Sequence, residues 1–229
     1  MSTSNFADAC ATYRLLREKG YPEKATLKLI GDRHGLSRIQ RNCLFRGVVP
    51  TETAARRKVK IVAVDAVAGQ PVALDWYNVL ITVESYLHGH VLYCADDGVV
   101  RDASETHGSY RTGPFTPRAV DEIITEIARL KPSRVDAFLD RPMAFSAFMA
   151  EDLRSRLSVL SFESEVSLAQ SADYPLKASA GIVASSDSAL LDRCTRVLDL
   201  AGAVLAARFS FHPPAVHELF VESPGSPRK

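Results

Sequence analysis

Hydrophobic and polar positions change their spacing near residue 58, and this change divides the chain into two parts. The first part shows helical spacing interrupted by glycines. It predicts one helix to about Lys19, a second over Glu23–Ile30, and a third that Ser37 caps and that runs to about Arg46. The segment TETAARRKVK follows as a short helix or a basic connector. We therefore predict a small helical module over residues 1–57.

From Lys58 onward the apolar runs are short and rich in β-branched residues, and they repeatedly end in acidic residues. The candidate strands are Lys60–Val64, Pro71–Leu74, Val91–Ala95, Val135–Leu139, Gly181–Ala184 and Ala203–Phe211. Helical spacing lies between some of them, over Thr116–Leu130, Ala144–Leu157 and Ser188–Leu200. This alternation predicts an α/β domain with a mostly parallel sheet over residues 58–222, followed by a flexible tail at 223–229.

Charge divides the chain at nearly the same place. The 229 residues carry a formal net charge of only +1. Residues 1–60 hold 13 Lys and Arg against 5 Asp and Glu, a net of +8, whereas residues 61–229 hold 15 against 22, a net of −7. Such asymmetry indicates a basic partner-binding module beside an acidic domain. The four cysteines are far apart and form no zinc motif, and no signal peptide or long apolar run is present. We expect a cytoplasmic protein without a membrane partner.

Acidic residues at strand ends are the main candidates for chemistry. Parallel strands present their carboxyl ends along one edge, where ligands bind. We expect five residues to hold Mg²⁺ or Mn²⁺ there: Asp75, Asp140, Asp187, Asp97 and Glu84, with Asp96 as the alternative to Asp97. Clustered carboxylates require a cation or raised pKa values, and hard oxygen ligands suit these ions. Each acid could instead cap a helix or a loop, which is the more ordinary role for any one of them.

Three polar side chains beside these acids could orient a ligand. Asn78 follows Asp75 by three residues, and Ser185 and Ser186 precede Asp187. Their ordinary alternatives are a helix cap and a serine-rich turn. The polar loop near residue 107 offers His107, Tyr110 and Arg111 as phosphate or base contacts, or is a solvated loop.

The chain resembles two kinds of known family. The stretch YRLLREKGYPEKATLKLIGDRHGLSRIQRNCLFRG closely resembles a prokaryotic family named only as domain of unknown function four-three-four. Its members continue into a second uncharacterised domain, whose matching features here are LDWYNVLITVESYLHG, ADDGVVRD and ASSDSALLD. These resemblances span nearly the whole chain and imply no established activity.

More distantly, the second part is similar to the PIN/NYN nuclease superfamily. Asp75 and Asn78 match the Asp and Asn of its first strand, and Asp187 after Ser185-Ser186 matches its last acid. The middle acid is Glu84, Asp97, Asp140 or Asp173, and Asp140 is the first choice because it closes an apolar strand. The resemblance implies a Mg²⁺-dependent ribonuclease, with Asp75, Asp140 and Asp187 as catalytic residues. Trp76-Tyr77 and the segment DRPMAFSAFMA depart from the family pattern and leave room for an inactive descendant.

The basic module resembles a helix-turn-helix, with Gly35-Leu36-Ser37 as the turn. In that interpretation its second helix enters a groove of nucleic acid, with RNA favoured. The expected nucleic-acid contacts are Arg33, Arg38, Gln40, Arg41, Asn42, Arg46, Arg56 and Arg57. Its alternative is a small helical bundle with a solvated basic face.

The sequence thus predicts a metal-dependent nuclease with a basic docking module. The main alternative is a non-catalytic nucleic-acid-binding regulator with a degenerate PIN-like domain, in which the α/β part senses a ligand or forms a homodimer. A third interpretation is the hydrolysis of a small phosphoester.

Overall fold

Four helices span most of residues 6–60 in the computed structural model, which describes residues 6–104 and 110–220. The predicted tail at 223–229 lies outside these described residues. The four helices are α1 (Phe6–Glu18), α2 (Glu23–Arg33), α3 (Arg38–Gly47) and α4 (Thr51–Lys58). Ser37 caps α3 as expected: its hydroxyl accepts a bond from the Gln40 amide, and the Gln40 side chain accepts one from the Ser37 amide. This reciprocal capping box satisfies two amides that a helix start leaves open.

A five-stranded parallel sheet forms the centre of the second part. Its strands are β1 (Pro71–Asp75), β4 (Arg134–Asp140), β5 (Glu163–Ala169), β6 (Ile182–Ala184) and β7 (Val197–Leu198), in the order β5-β4-β1-β6-β7. Two short strands, β2 (Leu92–Cys94) and β3 (Val100–Asp102), form a separate antiparallel pair. The predicted α/β class with a mostly parallel sheet is confirmed. Strand order reverses at β1, since the chain moves to β4 and β5 on one side and then to β6 and β7 on the other.

Helices cover both faces of the sheet. They are α5 (Trp76–Leu87), α6 (Thr116–Leu130), α7 (Ser146–Ser158), α8 (Asp173–Ala178), α9 (Ser188–Arg193) and α10 (Leu200–Phe209). The main core packs α5, α6, α7 and α10 against one face, and a smaller core packs α8 and α9 against the other. Within the described ranges, no helix is both long and apolar enough to cross a membrane.

Two predicted strands are wrong. Ala203–Phe211 lies mostly in α10, because an apolar run of this length fits a buried helix as well as a strand, and Asp199 caps that helix. Residues 60–64 form no strand; Ile61 makes only an isolated bridge to Val197, and a 3₁₀ turn covers Val64–Val67. The predicted helix over Ser188–Leu200 ends at Arg193, where the chain enters the short strand β7.

The helical module shares its core with the rest of the chain. Phe6, Tyr13 and Leu44 pack with Tyr93 from β2 and with Val216, from a 3₁₀ turn over Val216–Glu218. The predicted boundary between residues 57 and 58 lies at the end of α4, yet one hydrophobic cluster crosses it. The module is therefore packed onto the α/β part rather than joined to it by a linker alone.

Candidate functional site

Three strands deliver polar side chains to one face of the sheet at its carboxyl edge. Ala73, Phe138 and Val183 belong to the core beneath α8 and α9. Side chains alternate along a strand, so residues two positions further on face the same way. Those residues are Asp75 on β1, Asp140 on β4 and Ser185 after β6. They lie where strand order reverses, which is the position at which open parallel sheets bind ligands.

Asp75 is the most deeply buried of these acids, with 5% of its surface exposed. Burial, together with the negative charges of Asp140, Asp187 and Asp173, raises the pKa of Asp75 to about 7. The hydroxyl of Ser185 opposes this shift, because it donates a 2.7 Å bond to Asp75 Oδ2. A carboxylate at this position is poorly solvated and is surrounded by like charge, so it would be stabilised by a cation.

The turn after β6 is tied to the start of α5. Asn78 Oδ1 accepts bonds of 2.8 Å from both the amide and the hydroxyl of Ser186. Ser185 accepts a bond from the Asp187 amide, and Asp187 Oδ1 caps α9 through the amides of Ala189 and Leu190. Asn78, Ser185 and Ser186 thus fix the position of Asp187 relative to Asp75. These bonds use Oδ1 of Asn78 and Oδ1 of Asp187. The side-chain NH₂ of Asn78 and Oδ2 of Asp187 take no part in them.

Asp75, Asn78, Asp140 and Asp187 line a cleft of about 400 Å³. We call it the acidic cleft, defined by the carboxylates Asp75, Asp102, Asp140, Asp173 and Asp187. Asn42 and Arg46 of α3 form part of its wall, so both parts of the chain contribute to it. Sequence reasoning did not assign a site role to Asp102 and named Asp173 only as an alternative middle acid. Asp102 ends the short strand β3, and that position is the only signal that pointed to it.

The donor chemistry of the acidic cleft fits a hydrated divalent cation. Within residues 6–104 and 110–220, no three His, Cys, Asp or Glu side chains are grouped closely enough to hold a metal ion directly. One oxygen of Asp140 accepts the Ala172 amide, which limits its freedom to turn. Mg²⁺, however, retains several waters and commonly binds through one or two carboxylates and a substrate phosphate. Asp75 and one or two of the neighbouring acids could therefore hold a hydrated divalent ion.

A metal role for Asp97 does not fit its surroundings. Asp97 has no exposed surface, and both of its oxygens accept bonds from guanidinium groups: Arg101 at 2.8 and 2.9 Å and Arg57 at 2.9 Å. These cations hold the pKa of Asp97 below its usual range despite its burial. Arg101 also donates to the Ser186 carbonyl oxygen. Asp97 is therefore the centre of a buried ion network that anchors the turn before α9.

Glu84 is also placed away from the acidic cleft. Its carboxylate is buried and accepts bonds of 2.6 Å from Tyr110 and 2.8 Å from Thr116. The expectation that Glu84 binds metal is therefore replaced by a structural role, in which it fastens the chain around residues 110–116 to α5. Tyr110 is part of this bond rather than a substrate contact. Arg111 is exposed, and the expected contact His107 lies outside the described residues.

The polar residues of α3 are largely occupied within the protein. Gln40 completes the capping box, and Arg41 donates to Asp32 and to the Leu36 carbonyl oxygen. Asn42 donates to the carbonyl oxygen of Ala103, and Arg46 donates to that of Asp102. The helix therefore fastens the module to the segment after β3. Insertion of this face into a nucleic-acid groove, as a helix-turn-helix would require, would break these contacts.

The other expected nucleic-acid contacts differ in exposure. Arg33, Arg38 and Arg56 are exposed, whereas Arg57 is buried between Asp97 and Asp192. Arg57 lies on α4, so its ion pairs connect the helical module to α9. Its role as a direct nucleic-acid contact is replaced by a structural one.

Comparisons with known proteins identify two families, and neither family's description states an activity. A family model described as "Domain of unknown function (DUF5616)" matches residues 64–203, and one described as "Protein of unknown function (DUF434)" matches residues 5–60. The second match confirms the resemblance of the basic module. An uncharacterised protein of Methanocaldococcus jannaschii is 25% identical over 179 residues, which are 78% of this chain and 85% of that protein. No solved structure matches the chain at a significant level.

Proposed function

Since the chain belongs to the family described as domain of unknown function (DUF5616), whose description states no activity, we propose its function from the acidic cleft: it is a metal-dependent phosphodiesterase, with RNA as the favoured substrate. The choice of RNA rests on the similarity of the second part to PIN/NYN nucleases. The strand order β5-β4-β1-β6-β7 brings the residues matched in that similarity to one edge, which supports the proposal.

The observation that carries the proposal is the electrostatic state of Asp75. This carboxyl is buried and has a pKa raised to about 7, with three further acids among the causes of the shift. Proteins keep such an arrangement at a cost in stability, and strongly shifted pKa values of this kind are concentrated at functional sites. A divalent cation would remove the cost, because it stabilises the charged form of every acid around it.

Residues of the acidic cleft would hold the ion and orient its ligands. Asp75, Asp140 and Asp187 would hold the ion directly or through its waters. Ser185 orients Asp75, and Ser186 and Asn78 fix the turn that carries Asp187. The Asn78 NH₂ group would then donate to a phosphate oxygen. When bound, Mg²⁺ or Mn²⁺ polarises the phosphoryl oxygen and makes a nearby water more acidic. The ion and the Asn78 NH₂ group would together hold the scissile phosphate in the acidic cleft.

A second candidate is a nucleic-acid-binding protein without catalytic activity. One observation favours it: oxygens of both Asp140 and Asp187 already accept backbone amides, and no tight group of three metal ligands occurs within the described chain. In such a protein the cleft would bind a cation and a phosphate but would not position water.

Cleavage of labelled RNA by the purified protein separates the two candidates. We expect cleavage with Mg²⁺ or Mn²⁺, none in EDTA, and a loss of at least about 100-fold for Asp75→Asn. Asp121→Asn, an exposed acid on α6, is the matched control and should retain full activity. A contaminating ribonuclease would act equally in both variants. Cleavage that survives EDTA or Asp75→Asn would refute the metal mechanism, and metal-dependent thermal stabilisation without cleavage would favour the second candidate.

A further inference from the structure

A second cleft adjoins the acidic cleft. It has a volume of about 570 Å³ and lies between α1, α3 and α4 of the helical module and the start of α9. Arg46 and Asp187 line both clefts, so the two clefts adjoin at these residues. We call the second one the arginine cleft, since the guanidinium groups of Arg17, Arg46, Arg56, Arg57 and Arg101 line it.

Guanidinium groups outnumber carboxylates in the arginine cleft. Its acids are Glu23, Asp187 and Asp192, against five arginines. Arg57 and Arg101 are buried in ion pairs with Asp97 and Asp192 that offset their charge, so contact with a ligand falls to the other three arginines. Arg17, Arg46 and Arg56 keep 24%, 31% and 55% of their side chains exposed. Each lies within ion-pair distance of an acid, Glu23, Asp102 and Asp192 respectively, which restrains it over the cleft.

An aromatic ring completes the lining. Phe45 of α3 is 40% exposed and belongs to the arginine cleft. An exposed ring among arginines is the combination that single-stranded nucleic acids use, because bases stack on the ring while phosphates contact the guanidinium groups. A small phosphoester would require neither feature.

We propose that the arginine cleft binds the nucleotides that flank the scissile phosphate of a single-stranded RNA, so that the strand passes from the arginine cleft into the acidic cleft at Arg46 and Asp187. The acidic-cleft part of this path rests on the proposed function; the binding surface itself does not. Asp75 lines the acidic cleft with only 5% of its surface exposed. A flexible single strand can bend to bring a phosphate to such a buried group, whereas a rigid duplex cannot.

This path differs from helix-turn-helix docking in the residues that it uses. Docking by α2 and α3 as a helix-turn-helix would depend on Arg33 and Arg38, which are exposed and do not line the arginine cleft. The path proposed here depends on Arg17, Arg56 and Phe45. The two modes can therefore be separated by paired substitutions that remove the same number of charges.

The binding of a fluorescein-labelled oligouridine, measured by fluorescence anisotropy in EDTA so that metal-dependent cleavage does not occur, tests the proposal. The variant Arg17→Gln/Arg56→Gln should weaken binding by about tenfold or more and reduce the salt dependence, because two phosphate contacts are lost. Phe45→Ala should weaken it by about fivefold with the salt dependence unchanged. Arg33→Gln/Arg38→Gln should leave affinity within about twofold, and an RNA duplex should bind more weakly than the single strand.

A loss of binding in Arg33→Gln/Arg38→Gln but not in Arg17→Gln/Arg56→Gln would overturn the proposal in favour of helix-turn-helix docking. Equal affinity of all variants would overturn it as well. Hydrolysis of bis(4-nitrophenyl) phosphate with Mn²⁺ keeps this failure separate from failure of the proposed function. Asp75→Asn should abolish that hydrolysis, whereas Arg17→Gln/Arg56→Gln should retain it and lose only activity on RNA. Circular dichroism melting confirms that each variant is folded.

Discussion

Asp75 and Asp97 are two buried aspartates that the protein treats in opposite ways. Two guanidinium groups, from Arg57 and Arg101, surround Asp97 and lower its pKa. A serine hydroxyl contacts Asp75, other acids face it, and its pKa is raised to about 7. Both acids were expected from the sequence to bind metal. The difference shows that burial alone does not identify a ligand site; what matters is whether the fold already supplies the opposite charge.

The largest change in stability that we expect comes from neutralising Asp97, the acid that two arginines compensate. Asp97→Asn would leave the buried guanidinium groups of Arg57 and Arg101 without their shared carboxylate. Removal of one partner from a buried ion pair costs about 3–5 kcal/mol in the free energy of unfolding. Urea denaturation measures it. Asp121→Asn breaks a surface pair with Arg156 and should cost at most about 1 kcal/mol. Similar losses in the two variants would mean that the Asp97 network is not a buried, compensated one.

Neutralising Asp75, the uncompensated acid, should stabilise the folded protein rather than destabilise it. The pKa of Asp75 rises from 3.8 to about 7 on folding, so its ionisation opposes the folded state as pH increases through this window. Asp75→Asn should therefore be more stable than the original protein at pH 8, by up to about 4 kcal/mol, and nearly equal to it near pH 4. Urea denaturation at both pH values in EDTA checks this. A destabilised variant at pH 8 would indicate that a charge within the protein already compensates Asp75.

A smaller effect should follow from removing the hydroxyl that contacts Asp75. Ser185→Ala deletes the bond to Asp75 Oδ2 and also the acceptor for the Asp187 amide. We expect a loss of about 1–2 kcal/mol at pH 8 and a smaller loss near pH 4, since a bond to a charged acceptor is the stronger one. Thermal melting at both pH values measures it, with Ser158→Ala on the surface of α7 as the control. A loss that does not depend on pH would assign Ser185 to the turn alone.

Elements were predicted correctly where the spacing of apolar residues and the residues at element ends matched the pattern of burial in the structure. Thr116–Leu130 combines a proline near its start with apolar residues at helical spacing, and α6 has these bounds. Ala203–Phe211 was wrongly predicted as a strand, because a continuous apolar run has no period that separates a buried helix from a strand. The strand β5 was missed. Its residues, ESEVSLA, lie at the edge of the sheet and are mostly half-exposed, so they lack a clear apolar pattern.

The site was predictable only to the extent that it follows from strand ends. Asp75, Asp140 and the turn before Asp187 share one edge, because parallel strands impose this placement. The ion pair of Asp97 with Arg57 joins positions 40 residues apart, and the bond of Glu84 with Tyr110 joins positions 26 apart. Arg101 lies only four positions after Asp97, but no local pattern encodes the pairings with Arg57 and Tyr110, so the sequence did not distinguish these two acids from metal ligands. The contact of α3 with the segment after β3 was not predictable for the same reason, since Asn42 bonds to Ala103, which lies 61 positions away.

The packing of the first helix against the last described turn has a consequence for synthesis. Phe6 contacts Phe220 edge to face, and Val216 and Leu219 complete the cluster around Tyr13. A ribosome makes the helical module before these partners, so the nascent module exposes its apolar face while more than 150 residues, from Lys58 to Val216, are added. Its helices can form early, but their packing is completed only when the chain's far end emerges. The part of the protein that looks most like an autonomous domain is thus among the last to reach its final structure.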